Sequence, residues 1–514
     1  MQLQFDNQYL PYGGWQQCGN LFFAGYAHYR NKPLDLPALV RALNDGLDQH
    51  KLTGLLNELN GAYALVFKKD GLCLAAVDTC RSIPLFYTDS VVSDSLSFSD
   101  ASLDEHELEK LPFVEFVQND KTALKDWKQL QAGHCLWQEG GEGKVFQYFN
   151  HYLKDAPGNH NSFSESFLGL IDGMQQRLVE SLNGRPAVVP LSGGYDSRFV
   201  LAMLSDAGYS NVQAFTYGRP DGHEALIAEK VCDALNVNWH FVEYTTDLFN
   251  RGLNEQWDDY FMYAGNHSSV PHEQEYLALF ELKDKLDKNS VILPGFAGDV
   301  QAGSFIPDKF YEKRWFKKQT PAREYVLEYF TRLPDKDWLD AEETDSEENF
   351  GFDDFYGEIE EWAVRERIAK YIVNSVRCYE YFGYSWMLPL WDKGFIELWQ
   401  KVPLAFRRDK QLYLDVLRQR FFKPMEIDFT PRFFDAKFSS GNWRSWARYV
   451  LPKGLKEWSK KVLIPENELE VNNLDELGQI LANRIGFEFD ERMPLNEIMG
   501  RYYVYLLKLK RKGK

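Results

Sequence analysis

Leu191-Ser192-Gly193-Gly194-Tyr195-Asp196-Ser197 is the segment of this sequence best suited to carry chemistry. Two glycines after an apolar run let the chain turn so that several backbone N–H groups face one point. A helix starting there adds its unpaired N-terminal N–H groups and the positive end of its dipole. Ser192 and Ser197 bring hydroxyl donors. Such a nest suits a pyrophosphate group. Asp196 would repel a phosphate directly, but it fits as a ligand to Mg²⁺ lying between the carboxylate and the phosphates. A second apolar run, Val291–Leu293, also ends in a glycine-rich turn, Pro294-Gly295-Phe296-Ala297-Gly298-Asp299, and supplies another carboxylate, Asp299. The sequence has no GxxxxGK[ST], so a Walker-type loop is not the explanation.

Both turns need a scaffold. Apolar runs at Ala187–Leu191, Val212–Tyr217, Trp239–Tyr244 and Val291–Leu293 alternate with helical patterns, one ending near Leu204 and one at Glu224–Leu235. This predicts a parallel sheet with helices on both faces, with ligands at the carboxyl ends of its strands. Residues 1–150 read as a mixed or antiparallel sheet region. Short β-like runs lie at Ala62–Phe67, Leu72–Val77 and Lys144–Phe149, a hairpin turn at Lys69-Asp70-Gly71, and a helix over Leu36–His50. The polar stretch 155–166 reads as a linker between domains at 1–154 and 167–514. From about residue 305 the chain reads helical and aromatic. Asp340–Glu361 holds eleven acidic residues and no basic one, which predicts a solvated surface insertion. The basic tail Lys508–Lys514 predicts a frayed terminus.

The chain has 514 residues, with 58 Lys+Arg against 76 Asp+Glu and a formal net charge of −18. That balance argues against broad nucleic-acid binding, which rests on Lys and Arg neutralising phosphates. The six cysteines, Cys18, Cys73, Cys80, Cys135, Cys232 and Cys378, contain no CxxC and are expected to be buried free thiols. No secretory signal and no membrane span is visible, so a soluble cytoplasmic protein is expected.

With these residues in view, the chain resembles the asparagine synthetase family, including its β-lactam synthetase-like members. Ser192–Ser197 is similar to that family's pyrophosphate loop, Pro294–Val300 to its second Asp loop, and Phe215-Thr216-Tyr217-Gly218 to its adenine-side strand. Arg377, Leu388-Pro389-Leu390-Trp391-Asp392 and Asp409-Lys410-Gln411-Leu412 resemble further family segments. Gly61–Leu65, Asp78–Tyr87 and Gln131–His134 resemble parts of its glutaminase domain. The resemblance implies an α/β plus α+β fold: an N-terminal Ntn-hydrolase-like sheet domain and a C-terminal PP-loop domain with a parallel sheet and helical additions. It implies an ATP-dependent ligase that adenylates a carboxylate, releases pyrophosphate and passes the acyl group to ammonia or an amine. Leu191, Ser192, Gly193, Gly194, Asp196, Ser197, Tyr217 and Gly295 would bind the nucleotide. Asp196 and Asp299 would hold Mg²⁺, and Lys410, with Asp196, would be catalytic.

Departures from the family pattern are informative. The family's glutaminase uses a Cys directly after the initiator Met; here that residue is Gln2, so no glutaminase nucleophile is expected. Phe296 replaces the acidic residue of the second loop, and Arg198 replaces a Ser after the first. Ser385 and Met387 stand where Glu and Arg are usual. A substrate pocket of Phe296, Arg377 and Ser385 that differs from the aspartate pocket is expected. Asparagine synthesis from free ammonia and a non-catalytic nucleotide-binding role are the other readings. Expected partners are small-molecule carboxylates and amines, with room for a homodimer or a separate ammonia-supplying protein.

Overall fold

The computed structural model describes residues 1–6, 8–45, 47–152, 156–296, 298–304, 352–429, 474–489 and 493–512. Among these, the strands form three sheets. The antiparallel one is built on β5 (Leu59–Lys69), which pairs β3 (Leu21–Tyr29) on one side and β6 (Leu72–Val77) on the other. β10 (His134–Glu139) and β11 (Glu142–Gln147) extend it beyond β6, while β2 (Gln16–Cys18) and β4 (Lys32–Pro33) pair with β3. The predicted hairpin at Lys69–Gly71 is present, with Asp70 (φ 48°) and Gly71 (φ 87°) both in the left-handed conformation. A smaller sheet joins β1 (Gln2–Gln4), β8 (Val91–Ser93), β7 (Phe86–Tyr87) and β9 (Lys128–Gln129).

The third sheet is wholly parallel. Its strands are β12 (Ala187–Pro190), β13 (Val212–Gly218), β14 (Asn238–Glu243), β15 (Val291–Ile292) and β16 (Ser385–Trp386). Their order is β14-β13-β12-β15-β16. Ala187, Val188 and Val189 of β12 are fully buried, as expected for a central strand covered on both faces. The mixed α/β architecture expected from the sequence is therefore present.

Several boundaries differ from the sequence reading, each for a local reason. The predicted helix 36–50 is two helices, Leu36–Asn44 and Gln49–Asn57; Asp48 caps the second by accepting from the Lys51 N–H at 2.8 Å. Much of the expected linker 155–166 is helical. Asn159 and Ser162 form a reciprocal capping box that starts the helix His160–Leu182. Phe163, Phe167, Ile171, Met174, Leu178 and Leu182 then bury one face of it. The acidic stretch is also not simply solvated: its described part is the helix Phe352–Ala363, in which Glu360 pairs with the buried Arg407 guanidinium. The basic tail is helical through Lys512, held where Lys508 reaches Glu105 at 2.6 Å and Arg511 donates to the Ser99 carbonyl at 3.2 Å. No helix among the described residues is long and apolar enough to cross a membrane.

The antiparallel and parallel regions share a continuous apolar core that runs from Leu65 and Val77 to Val188, Phe215 and Ile292. Polar latches supplement it. Arg177 forks onto Asp392 at 2.7 and 2.9 Å, and Asn60 of β5 donates to the same carboxylate at 2.9 Å. Buried Lys370 donates to Glu366 at 2.7 Å and to the Val117 and Asn119 carbonyls. An isolated buried charge is costly, so each latch favours one docking geometry. Asp392→Ala leaves Arg177 and Asn60 without this acceptor. The expected loss is about 3–5 kcal/mol in urea unfolding, and a loss below about 1 kcal/mol would show that the latch is not part of the stable docking.

Candidate active site

The chain leaves β12 to build β13 on one side and returns to place β15 on the other. The strand order therefore reverses between β12 and β15, and loops leaving their carboxyl ends diverge to open a crevice. The two glycine-rich turns predicted from the sequence are the loops after these two strands.

The first loop is rigid by construction. The Leu191 N–H donates to the Phe215 carbonyl at 2.8 Å, and Thr216 Oγ1 donates to the Leu191 carbonyl at 2.6 Å. The Ser192 N–H donates to Ser197 Oγ at 3.1 Å, and the Gly194 N–H to Ser192 Oγ at 3.1 Å. The helix Tyr195–Asp206 begins at Gly194 with no side-chain cap, which leaves its first N–H groups for a ligand. Arg198 braces the loop from behind: it donates to the Gly193 carbonyl at 2.9 Å and to the Ile427 and Phe429 carbonyls at 3.0 and 2.8 Å. Burial pulls its guanidinium down to about 10, still charged at neutral pH.

The second loop packs onto the first. An added Cβ on Gly295 would lie 2.4 Å from the Ser197 nitrogen and 2.7 Å from its Cα, so only glycine fits there. At Gly298 an added Cβ would meet Leu390 at 2.5 Å, with the Asp196 carboxyl carbon 3.3 Å away. Asp196 is held by the Tyr413 hydroxyl at 2.8 Å. The Asp299 backbone lies in the short helix Gly298–Gln301; its side chain is outside the described residues. Lys410 reaches the same crevice from the far end of the chain. Asp409 (φ 52°) and Lys410 (φ 58°) are successive left-handed residues, a conformation costing roughly 1–3 kcal/mol each and concentrated at functional sites.

These elements enclose a cleft of about 450 Å³, within the usual range for small-molecule sites. Leu191, Ser192, Gly194, Asp196, Ser197, Tyr217, Gly295, Phe296 and Lys410, all singled out in the sequence, line it. Gly193 lies within the same loop, packed against the Glu224 backbone. Arg377 and Ser385 do not line the cleft. Arg377 is buried between Glu380, at 2.8 Å, and the Ser82 carbonyl, where it joins the two sheet regions. Ser385 pairs with Val291 on the edge strand β16, which the sequence reading did not find. It also missed Glu275, Ile368 and Ile372 in the lining and Tyr413 behind Asp196. Tyr413 follows Lys410 by three residues and was within reach of the motif; Glu275 lies between two helices, with no periodicity to mark it.

Three described carboxylates, Asp196, Glu224 and Glu275, line the cleft beside one lysine, Lys410. Burial pushes Glu275 up to about 7, with the neighbouring Tyr379 hydroxyl opposing that shift. A polyphosphate bound here needs added positive charge. Among the described residues no three His, Cys, Asp or Glu side chains cluster as a metal cage. Asp196, an oxygen donor on the first loop, suits Mg²⁺, which is commonly held by one or two carboxylates together with substrate phosphates. Cys73, Cys80, Cys135, Cys232 and Cys378 are buried free thiols, each pushed upward by burial. Cys18 is also free, and partly buried on β2.

The contact between the loops predicts the effect of Gly295→Ala. The added methyl meets backbone, so the second loop must move away from the first. Titration with a non-hydrolysable Mg-ATP analogue is expected to show at least roughly tenfold weaker binding, on the scale of an overpacking clash. Unchanged affinity would show that the loops act separately.

Residues 175–427 match the family model for asparagine synthase. No curated protein matches the chain. An NH3-dependent NAD synthetase from Campylobacter jejuni, in complex with nitrate, is similar at 19% identity over 29% of this chain and 62% of that one, with a TM-score of 0.19. A glutamine phosphoribosylpyrophosphate amidotransferase from B. subtilis, complexed with ADP and GMP, is similar at 12% identity over 55% of this chain and 62% of that one, with a TM-score of 0.18. This chain thus spans less than two thirds of either protein's length. The matched region covers both glycine-rich loops and Lys410, and residues 175–427 belong to the asparagine synthase family.

Proposed function

We propose that this protein is an ATP-dependent amide-forming ligase that activates a carboxylate as its adenylate, with AMP and pyrophosphate as products, and passes the acyl group to ammonia or an amine. The observation that carries this reading is the meeting of the two glycine-rich loops, with Gly295 against Ser197 and with Asp196 and Lys410 lining the same cleft. Family membership supports it.

A carboxylate is a poor acyl donor because its oxygen is a poor leaving group. Attack of that oxygen on the α-phosphorus of ATP expels pyrophosphate and creates a good leaving group, AMP. The uncapped N–H groups at the start of the helix Tyr195–Asp206 are preorganised to receive the departing pyrophosphate, so little reorganisation is needed as charge develops. Asp196 and Asp299 would hold Mg²⁺, which supplies neutralising charge beside the phosphates. Lys410 compensates charge on the α-phosphate and then on the tetrahedral oxyanion. In the second step nitrogen bonds to the acyl carbon and AMP departs with the C–O electron pair. Holding both reactants in one cleft supplies roughly 7–11 kcal/mol of the barrier in favourable cases. Tyr217, stacked on Tyr244 at 5.1 Å, offers an aromatic wall at the end of β13.

Phe296 gives the second loop an apolar side chain, which favours a substrate other than free aspartate. The N-terminal region carries Gln2 on β1, in the place where the resemblance calls for a nucleophilic cysteine. We therefore assign that region a docking role without glutamine hydrolysis. Pyrophosphate release from Mg-ATP, measured over a carboxylate panel that includes aspartate, tests this reading. Release should require a carboxylate, proceed with ammonia or an amine but not with glutamine, and fall at least roughly a hundredfold in Asp196→Ala and Lys410→Ala, as for loss of a preorganised charge-stabilising group. No release with any carboxylate, or release that survives both substitutions, would overturn it.

A further inference from the structure

Beyond the phosphate loops the cleft changes character. Its lining there is apolar, from Phe296, Val300, Ile368 and Ile372, with Tyr217 nearby. Phe296 lies parallel to Tyr379 at 6.5 Å between ring centres. Glu275 is set into this wall. Its Oε2 is buried with no partner at hydrogen-bond distance, and the neutral Tyr379 hydroxyl is the neighbour that favours its charged form. No arginine or lysine forms an ion pair with it among the described residues, in contrast to Glu366, Glu360 and Glu380.

A carboxylate kept in such a wall without a counter-charge is costly. It becomes favourable when a ligand brings the missing cation. The rings of Tyr217 and Phe296 add faces that attract a cation. Phe296, Ile368 and Ile372 favour hydrocarbon next to that cation, since bare ammonia would leave them against water.

We propose that this part of the cleft recognises an ammonium group carried on an apolar body, with Glu275 as its counter-charge. This rests on the ligase reading and deepens it by naming the substrate class. The ammonium belongs either to the attacking amine or to an amino acid whose carboxylate is activated; both present the same chemistry to Glu275. On the same grounds, Glu275 is a specificity residue and takes no part in holding pyrophosphate.

Three probes separate the possibilities: phenethylamine, phenylalanine and 3-phenylpropanoate, the last lacking the cation. Each is titrated into the full chain by calorimetry, with wild type and Glu275→Gln compared. At least one of the two cationic probes should bind wild type, and 3-phenylpropanoate should bind more weakly than that probe. The cationic probe should lose roughly ten- to a hundredfold in Glu275→Gln. Stronger binding of phenethylamine assigns the nitrogen donor, and of phenylalanine the acyl donor. Glu275→Gln removes a buried charge, so it should melt at or above the wild-type temperature, which separates lost recognition from lost folding. Equal affinity in wild type and Glu275→Gln, or no binding of either cationic probe to wild type, overturns the proposal. Pyrophosphate release is measured in parallel: its absence counts against the ligase reading, while the titrations still decide the role of Glu275.

Discussion

The site depends on one backbone contact. β12 and β15 lie side by side through Ala187–Val291 and Val188–Ile292, and the chain reverses direction across the sheet at that pair. Loops leaving these two strands must therefore sit together at one edge. Gly295 lets them touch, because its missing side chain allows the second loop to lie on the Ser197 backbone. A nest of N–H groups and a carboxylate thereby face one volume. The same residues on separated strands would line two separate surfaces rather than one cleft.

The rest of the molecule keeps that edge in place. Arg198 ties the first loop to the Ile427–Phe429 segment, and Arg407 ties the helix that follows the second loop to the helix carrying Glu360. The antiparallel region grips the parallel one through Asp392, Glu366 and Arg377. These buried charges specify geometry more than they add stability, since an apolar contact of similar volume often stabilises as much. The N-terminal region thereby buttresses the region that carries the site.

Much of this was legible from residue order. Ser-Gly-Gly after an apolar run, then Asp and Ser, specifies a turn, a helix start and two donors within seven residues, so local rules suffice. The strand–helix alternation gave the parallel sheet for the same reason. Other features are set by tertiary contacts. β16 is two residues long, Ser385 and Trp386, too short for any period to register. Arg377 sits in a motif-like segment, yet its guanidinium is spent on Glu380 and the Ser82 carbonyl. Glu275 lies between the helices Glu255–Gly265 and Tyr276–Leu282, and only the folded chain brings it to Phe296. The helix at His160 was hidden by polar residues that cap it rather than break it.

The central claim is that both glycine-rich loops close on a single ligand. Amide hydrogen exchange of the full chain, with and without Mg-ATP, tests it most directly. The account predicts slowed exchange in Ser192–Arg198 and in Gly295–Gln301 together, over one range of nucleotide concentration. Protection confined to one loop, or appearing in the two at separate concentrations, would contradict it.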